Sequence, residues 1–494
     1  MRTKSVEQSI RDTEDPEFKL NKSLGPIDLT VFGIGVIIGT GLFVLTGEAA
    51  AGYAGPAIAL SYVVAGLACA LAALCYAEFA SSVPVAGSAY TFSYASLGEF
   101  VAWLIGWDLI LEFTLGAATV AKGWSGYLVS VLEIIGVTVP PALYAATKGF
   151  SHDFIAVLVI VAVTAILVVG IKLSSQVNQV ITAIKILVTI FIIGFGVWFI
   201  DAANLTPFIP KPAPGGEAYG SALDAYLLPS ILGIDTIYGV TGIFTGAALV
   251  FFAYIGFDIV ATTSEEARNP QRDIPIGIFA SLGICTVLYI LASVVFTGLV
   301  PYDQLATAAP AATALGATPF PAARFVVSLA ILVGLTVVCM ILILGQSRVA
   351  FAMSRDNLLP RWFARVHPTF RTPYRITIIT GIIAAALTFA LPLTTLGELV
   401  NIGTLSAFVL VSIGVLVLRR TQPDLPRAFK TPWVPAVPIA AAALCLFVMG
   451  FLTIGTWLRF LVWMGLGLIV YFTYSRSHSR LGRDLAARET SRET

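Results

Sequence analysis

The sequence predicts an all-α integral membrane protein: an inverted repeat of five helices plus five, followed by two further helices. Three observations carry this. Of 494 residues, 57% are hydrophobic and only 12% charged, with a mean hydropathy of +0.90; a soluble domain carries about 25% charged residues. Apolar runs long enough to span a bilayer recur from end to end. Two of those runs, five apart in order, are each interrupted by glycine, and paired interrupted helices point to a transporter site.

Taken in order, residues 1–26 form a polar, charged tail without the apolar core or cleavage site of a removable signal peptide. Twelve runs follow: 27–48, 55–81, 98–122, 154–171, 178–200, 240–262, 276–300, 322–350, 374–392, 396–418, 433–455 and 458–475. An even number puts both ends on the same side. With the N-terminus inside, only Lys148, Lys211, Arg324 and Arg459 of the 29 Lys and Arg fall outside. Lys122 and Lys185 lie within or at the ends of runs, and all others fall inside. Positive residues collect on the cytoplasmic side, so both termini are expected there.

This divides the chain into a cytoplasmic tail 1–26, a first repeat 27–200 and an extracellular loop 201–239 rich in Pro and Gly. A second repeat 240–420, two last spans within 421–475 and a cytoplasmic tail 476–494 complete it. The inside connection 351–373 is basic, and residues 354–360 within it read as a cytoplasmic amphipathic helix with its turn.

The first interruption is Gly33-Ile34-Gly35-Val36-Ile37-Ile38-Gly39-Thr40-Gly41-Leu42-Phe43, inside a run free of charge from Leu29 to Gly47. Gly costs a helix interior about 1 kcal/mol relative to Ala. In lipid, backbone groups freed from a helix survive only where they are buried or line a cavity. Gly39, Thr40 and Gly41 leave the backbone open to a small polar ligand. Close helix–helix packing through small residues is the alternative reading. The second interruption is Val250-Phe251-Phe252-Ala253-Tyr254-Ile255-Gly256-Phe257-Asp258 in the sixth run. Runs one and six are an odd offset apart, so the two halves run in opposite directions through the membrane.

Ionisable groups within the runs are few, and each is a functional candidate because charge in the bilayer is costly. Lys185 lies seven residues into the fifth run. It either snorkels to the inner interface or is a desolvated amine able to release and take a proton. Asp108 and Glu112, four apart on the third run, share a helix face. They form either a proton-handling pair or a structural pair satisfied by neighbouring donors. Asp258 either caps the second half-helix or faces the substrate. Glu78, Glu265 and Glu266 fall at inner run ends and are expected at the interface.

Several classes are excluded. His152, His367 and His478 all fall in loops or the tail, so no Ser/His/Asp set is expected in the membrane. The chain has no GxxxxGK[ST] phosphate loop. Neither an intramembrane hydrolase nor an ATP-driven pump fits. Cys69, Cys75, Cys285, Cys339 and Cys445 all sit in apolar runs as small filler. A net charge of +1 suggests no nucleic-acid partner. No metal or cofactor is expected.

Several stretches together carry a family resemblance. They are Gly35 through Phe43, Cys75-Tyr76-Ala77-Glu78-Phe79-Ala80, Pro84-Val85-Ala86-Gly87-Ser88-Ala89-Tyr90, Gly106-Trp107-Asp108-Leu109-Ile110-Leu111-Glu112, and Phe252 through Asp258 continuing into Glu265-Glu266-Ala267-Arg268-Asn269-Pro270. The chain, over roughly Leu24 to Ser475, resembles the amino acid–polyamine–organocation superfamily, and within it the bacterial relatives of the cationic amino acid transporters. That resemblance implies a LeuT-type fold. It implies that the amides of Thr40 and Gly41 receive a substrate carboxylate, and that carbonyls near Ile38, Phe252 and Ile255 receive the α-ammonium. Gly39, Ala253, Tyr254 and Asp258 belong to the same two breaks. The resemblance also implies that Lys185 replaces a sodium site, so that transport is proton-coupled, with Asp108 and Glu112 as further candidates.

The expected protein is thus a multi-pass plasma-membrane carrier that takes up free amino acids with protons. It is expected to be monomeric, with a small membrane partner left open. The rivals are a cationic amino acid uniporter or exchanger, and a receptor that binds amino acids without transporting them.

Overall fold

The computed structural model describes residues 24–82, 88–144, 146–147, 150–170, 175–214, 221–234, 236–262 and 267–483. Helix α1 (Pro26–Ile37) opens the bundle, with Pro at its first turn and Asp28 accepting from the Gly25 amide at 2.9 Å. After a break the chain runs through π-helical stretches at Gly41–Leu45 and Ala50–Ala54. It then reverses at Gly55-Pro56, where Gly55 has φ +58°, into α2 (Ile58–Ser82). The short α3 (Ser88–Ser96), the long α4 (Glu99–Ile134), α5 (Phe154–Val169) and α6 (Ser175–Gly196) follow. Next come α7 (Gly239–Val250), a second break, α8 (Phe257–Thr262) and α9 (Pro270–Leu299). The remainder is α10 (Pro310–Gly316), α11 (Pro321–Arg355), α12 (Tyr374–Ala390), α13 (Leu393–Thr421), α14 (Ala436–Met449) and α15 (Ile454–Val470).

Among the described residues, eight helical runs are long and apolar enough to cross a membrane, and α1, α5, α12 and α14 are shorter apolar helices. The only sheets among the described residues are two-residue antiparallel pairs, Ala146–Thr147 with Phe150–Ser151 and Ala213–Pro214 with Thr236–Ile237. The described part of the connection between α6 and α7 otherwise holds short 3-10 turns and a five-residue helix, Leu227–Ile231. The two tails through residue 23 and from 484, and also residues 83–87, Lys148, Lys172, Glu265 and Glu266, lie outside the described residues.

Against lipid there is no hydrophobic drive between helices, so close packing and satisfied polar groups must hold the bundle. Helix α4 is the spine: it packs along α11 and α13, and α9 packs on α1 and α2. Trp107 stacks between Trp103 and Trp463 at centroid distances of 5.4 and 4.5 Å. The Trp103 and Trp107 indoles donate to the carbonyls of Gly467 and Trp463, both at 2.9 Å, which pins α15 to α4. Asp153 caps α5 by accepting from the Ala156 amide at 2.9 Å. All five cysteines are free and buried, as filler would be.

Two expectations are corrected, and Glu78 is given its partners. The sequence places the end of the third span at Lys122, but α4 continues to Ile134. Lys122 is only 8% exposed, so it does not mark a boundary. Residues 354–360 do not form a separate helix: α11 runs to Arg355 and ends in a turn in which Asn357 takes φ +61°. The apolar period of Met353, Leu358 and Leu359 reflects burial of that turn, not an amphipathic face. Glu78, expected at the interface, stands close to the end of α2 and is engaged within the protein. Its side chain is fully buried, accepts from Arg419 at 2.7 and 2.9 Å and from the Thr431 amide at 2.7 Å, and pairs by charge with Arg427 at 3.3 Å. A buried carboxylate requires such partners, and they tie α2 to the end of α13 and the loop beyond it.

Candidate functional site

Both glycine interruptions are breaks in the helices. Helix α1 stops at Ile38, which is extended at φ −70°, ψ 106°. The chain re-enters helix at Thr40, so Gly39, Thr40 and Gly41 stand at a half-helix start, where amides have no intrahelical acceptor. In the second break, 3-10 turn Phe251–Tyr254 leads to extended Ile255, then to Gly256 at φ +121°. That value excludes a β-carbon on conformational grounds, and one there would also lie 2.6 Å from the Val36 side chain.

The two breaks pack directly on each other. A β-carbon on Gly41 would sit 2.2 Å from the Cα of Ala253, so glycine is what lets the backbones meet. Freed carbonyls are served from neighbouring helices, as a low-dielectric interior demands. The Tyr289 hydroxyl of α9 lies 2.7 Å from Ile37 O and 2.9 Å from Ala253 O, within donating distance of either. Tyr62 donates to Gly41 O at 3.2 Å and Tyr127 to Phe43 O at 2.7 Å. Asn401 of α13 reaches Ala248 O and Leu249 O at 2.7 and 3.0 Å.

Lys185 is buried, 3% exposed, and does not snorkel. Its Nζ donates to Gly35 O at 2.7 Å and Ile38 O at 3.2 Å. The stem lies against Gly334 of α11, where a β-carbon would come 2.7 Å from Lys185 Cε. One ammonium therefore links α6 to the last turn of α1, beside α11.

Between the breaks lies a cavity of about 20 Å³, room for roughly one water. Every residue lining it is buried. Gly39, Thr40, Gly41, Phe252, Ile255 and Glu112 of the sequence-predicted residues line it. Thr40 Oγ1 and Glu112 Oε1 have no hydrogen-bond partner among the described residues. Ile38, Ala253 and Tyr254 belong to the breaks but lie outside the lining, as do Lys185, Asp108 and Asp258. Asp108 accepts from Ser406 of α13 at 2.9 Å. Asp258 accepts from the Gly256 amide at 3.2 Å, bracing the start of α8 from inside the helix. No cluster of metal-ligating residues occurs among the described residues.

The sequence reading missed Val36, Ile37, Gly116, Val120, Val338 and Leu342 in the lining. A signal was present: Glu112, Gly116 and Val120 repeat at four residues, as do Val338 and Leu342, which places each set on one helix face. The carbonyl-serving tyrosines had no local signal.

A bundle of apolar helices in which two interrupted ones meet over a buried cavity defines a multi-pass membrane permease. The profile described as amino acid permease matches residues 24–475, and the chain belongs to that family. It is a multi-pass protein of the plasma membrane. The methylthioribose transporter of Bacillus subtilis (strain 168) is 44% identical over 467 residues, 94% of this chain and 95% of the relative. The branched-chain amino acid permease BcaP of the same organism is 45% identical over 491 residues, 98% and 99% of the two chains. The vacuolar cationic amino acid transporter 4 of Arabidopsis thaliana is 39% identical over 428 residues, 86% of this chain and 68% of the relative. Each is named a transporter or permease, none an enzyme.

Proposed function

We propose that this permease is a proton-coupled symporter of amino acids with small or branched apolar side chains, working by alternating access. The observation that carries the reading is the cavity where the two breaks meet. The Thr40 and Gly41 amides stand at a half-helix start, where a carboxylate is favoured. The walls beyond are Val36, Val120, Ile255, Val338 and Leu342, and Glu112 is the one titratable group on the lining. Asp258 braces the Gly256 amide and Asp108 lies outside the lining, so apart from Glu112 these walls are apolar, which favours an apolar side chain. The name of the BcaP relative points the same way.

Twelve crossings with both termini cytoplasmic, and a LeuT-type inverted repeat of 27–200 with 240–420, form the frame of this reading. Breaks at corresponding places in the two halves support it. Lys185 carries the coupling proton: as an ammonium it holds α6 to the α1 carbonyls, and on losing the proton it releases them.

Uptake by proteoliposomes tests the whole. Alanine, valine and leucine should be accumulated when the interior is alkaline, and arginine, lysine and methylthioribose should compete no better than alanine. Strong arginine uptake that alanine fails to inhibit overturns the side-chain assignment. Uptake indifferent to the pH gradient overturns the coupling, and binding without flux would make the protein a receptor.

A further inference from the structure

Where α11 ends and the last described segment folds back, four guanidinium groups converge. Arg355 closes α11, Arg361 follows in the turn beyond, and Arg480 and Arg483 stand on the segment after α15. With Ser354 and Asn357 they line a surface cavity of about 550 Å³, within the roughly 300–1,000 Å³ of small-molecule sites.

The four are brought there by structure. Ser475 Oγ donates to Leu358 O at 2.6 Å, and the Arg480 amide donates to Asp356 O at 3.1 Å. Ser479 donates to the buried carboxylate of Glu99 and accepts from the Gly482 amide at 3.1 Å. Arg361 Nε donates to Asn357 Oδ1 at 2.6 Å, so the left-handed turn at Asn357 aims that guanidinium. Two segments more than a hundred residues apart in sequence thus hold their arginines around one space.

Among the described residues these charges are not neutralised. No carboxylate lies within ion-pair distance of any of the four among the described residues. Asp356, next in sequence, accepts from the Tyr90 hydroxyl at 2.8 Å instead. Like charges around one space repel, and an anion relieves that repulsion. The planar guanidinium fork matches phosphate oxygens two at a time. We infer that this cavity is a binding site for a phosphate-bearing anion. It lies at the ends of two membrane-crossing helices, on the face that the proposed topology makes cytoplasmic. An inner-leaflet lipid headgroup and a soluble phosphate both present that chemistry there.

The test uses the purified full chain. Cardiolipin is offered in phosphatidylcholine nanodiscs and retained lipid is read by native mass spectrometry; pyrophosphate is offered in detergent and read by calorimetry. Binding by at least one probe is expected, weakening as salt rises. The double change Arg355→Gln and Arg480→Gln should weaken it by about tenfold or more. Arg420→Gln, which removes an equal charge from the exposed end of α13, should leave it unchanged. Should the double variant not fold, Arg483→Gln carries the test. Retention of cardiolipin alone identifies a headgroup site and pyrophosphate alone a soluble-phosphate site. Binding of neither, or equal loss on Arg420→Gln, overturns the inference. Because binding is read without transport, failure here leaves the amino acid reading standing, and the converse holds.

Discussion

Replacing Lys185 by Met keeps a long unbranched stem and removes the ammonium. The two bonds to Gly35 O and Ile38 O are charge-assisted, each worth about 1.5–3 kcal/mol. The variant therefore gives up about 3–6 kcal/mol of attachment between α6 and the break in α1. Moving a two-state equilibrium from 1:99 to 99:1 takes about 5.5 kcal/mol, so this attachment is of the size that biases which way the carrier rests. The seat of the stem beside Gly334 is kept, and no cavity-lining residue is touched. With one proton per substrate, a pH gradient of about one unit supports about tenfold accumulation. In Lys185→Met proteoliposomes, counterflow of labelled alanine at symmetric pH should persist, and the accumulation ratio under the gradient should fall to about 1. An unchanged tenfold ratio refutes the reasoning and moves the proton to Asp108, Glu112 or Asp258.

Gly41→Val places a side chain against the Ala253 backbone, which cannot rotate aside. Overpacking of about 1–3 kcal/mol and loss of the alanine-induced thermal shift are expected in a protein that still elutes monodisperse; a wild-type shift would contradict the site. Gly334→Leu fills the space beside Lys185 Cε, so it should reproduce the coupling loss of Lys185→Met with the lysine still present, as accumulation ratios will show. Glu78→Gln leaves the guanidinium of Arg427, 4% exposed, without its carboxylate. About 3 kcal/mol of stability should go, somewhat less to the extent that water screens the partly exposed Arg419; a wild-type Tm would count against the network.

What the sequence made legible follows from the bilayer. Apolar length and glycine placement are local properties, so the helices and both breaks could be read from them. Lys185 could be singled out as costly, but not located: whether a lysine snorkels depends on carbonyls 147 and 150 residues away. The partner of Glu78 was hidden for the same reason, since Arg419 lies 341 residues on. The end of α4 was missed because Lys122 looks like an edge. Beyond it, Gly123 and Gly126 pack against Thr40, Val44 and Ala308, contacts that no one-dimensional pattern displays. The turn after α11 was read as an amphipathic helix because burial of a loop against a helix end produces similar spacing.

Tyr289 has one hydroxyl proton and two claimants, Ile37 O and Ala253 O. A phenol can donate fully to only one of them at a time. The two broken helices therefore do not titrate their hydrogen-bonding needs independently: satisfying one carbonyl leaves the other short. Any group that relieves one, whether a solvent molecule or an ammonium, hands the tyrosine proton to its counterpart. The two half-sites are in this sense joint holders of a single donor. A change confined to one break will register in the other without any backbone movement, and infrared bands of the two carbonyls, isotope-edited one at a time, should shift in opposite senses.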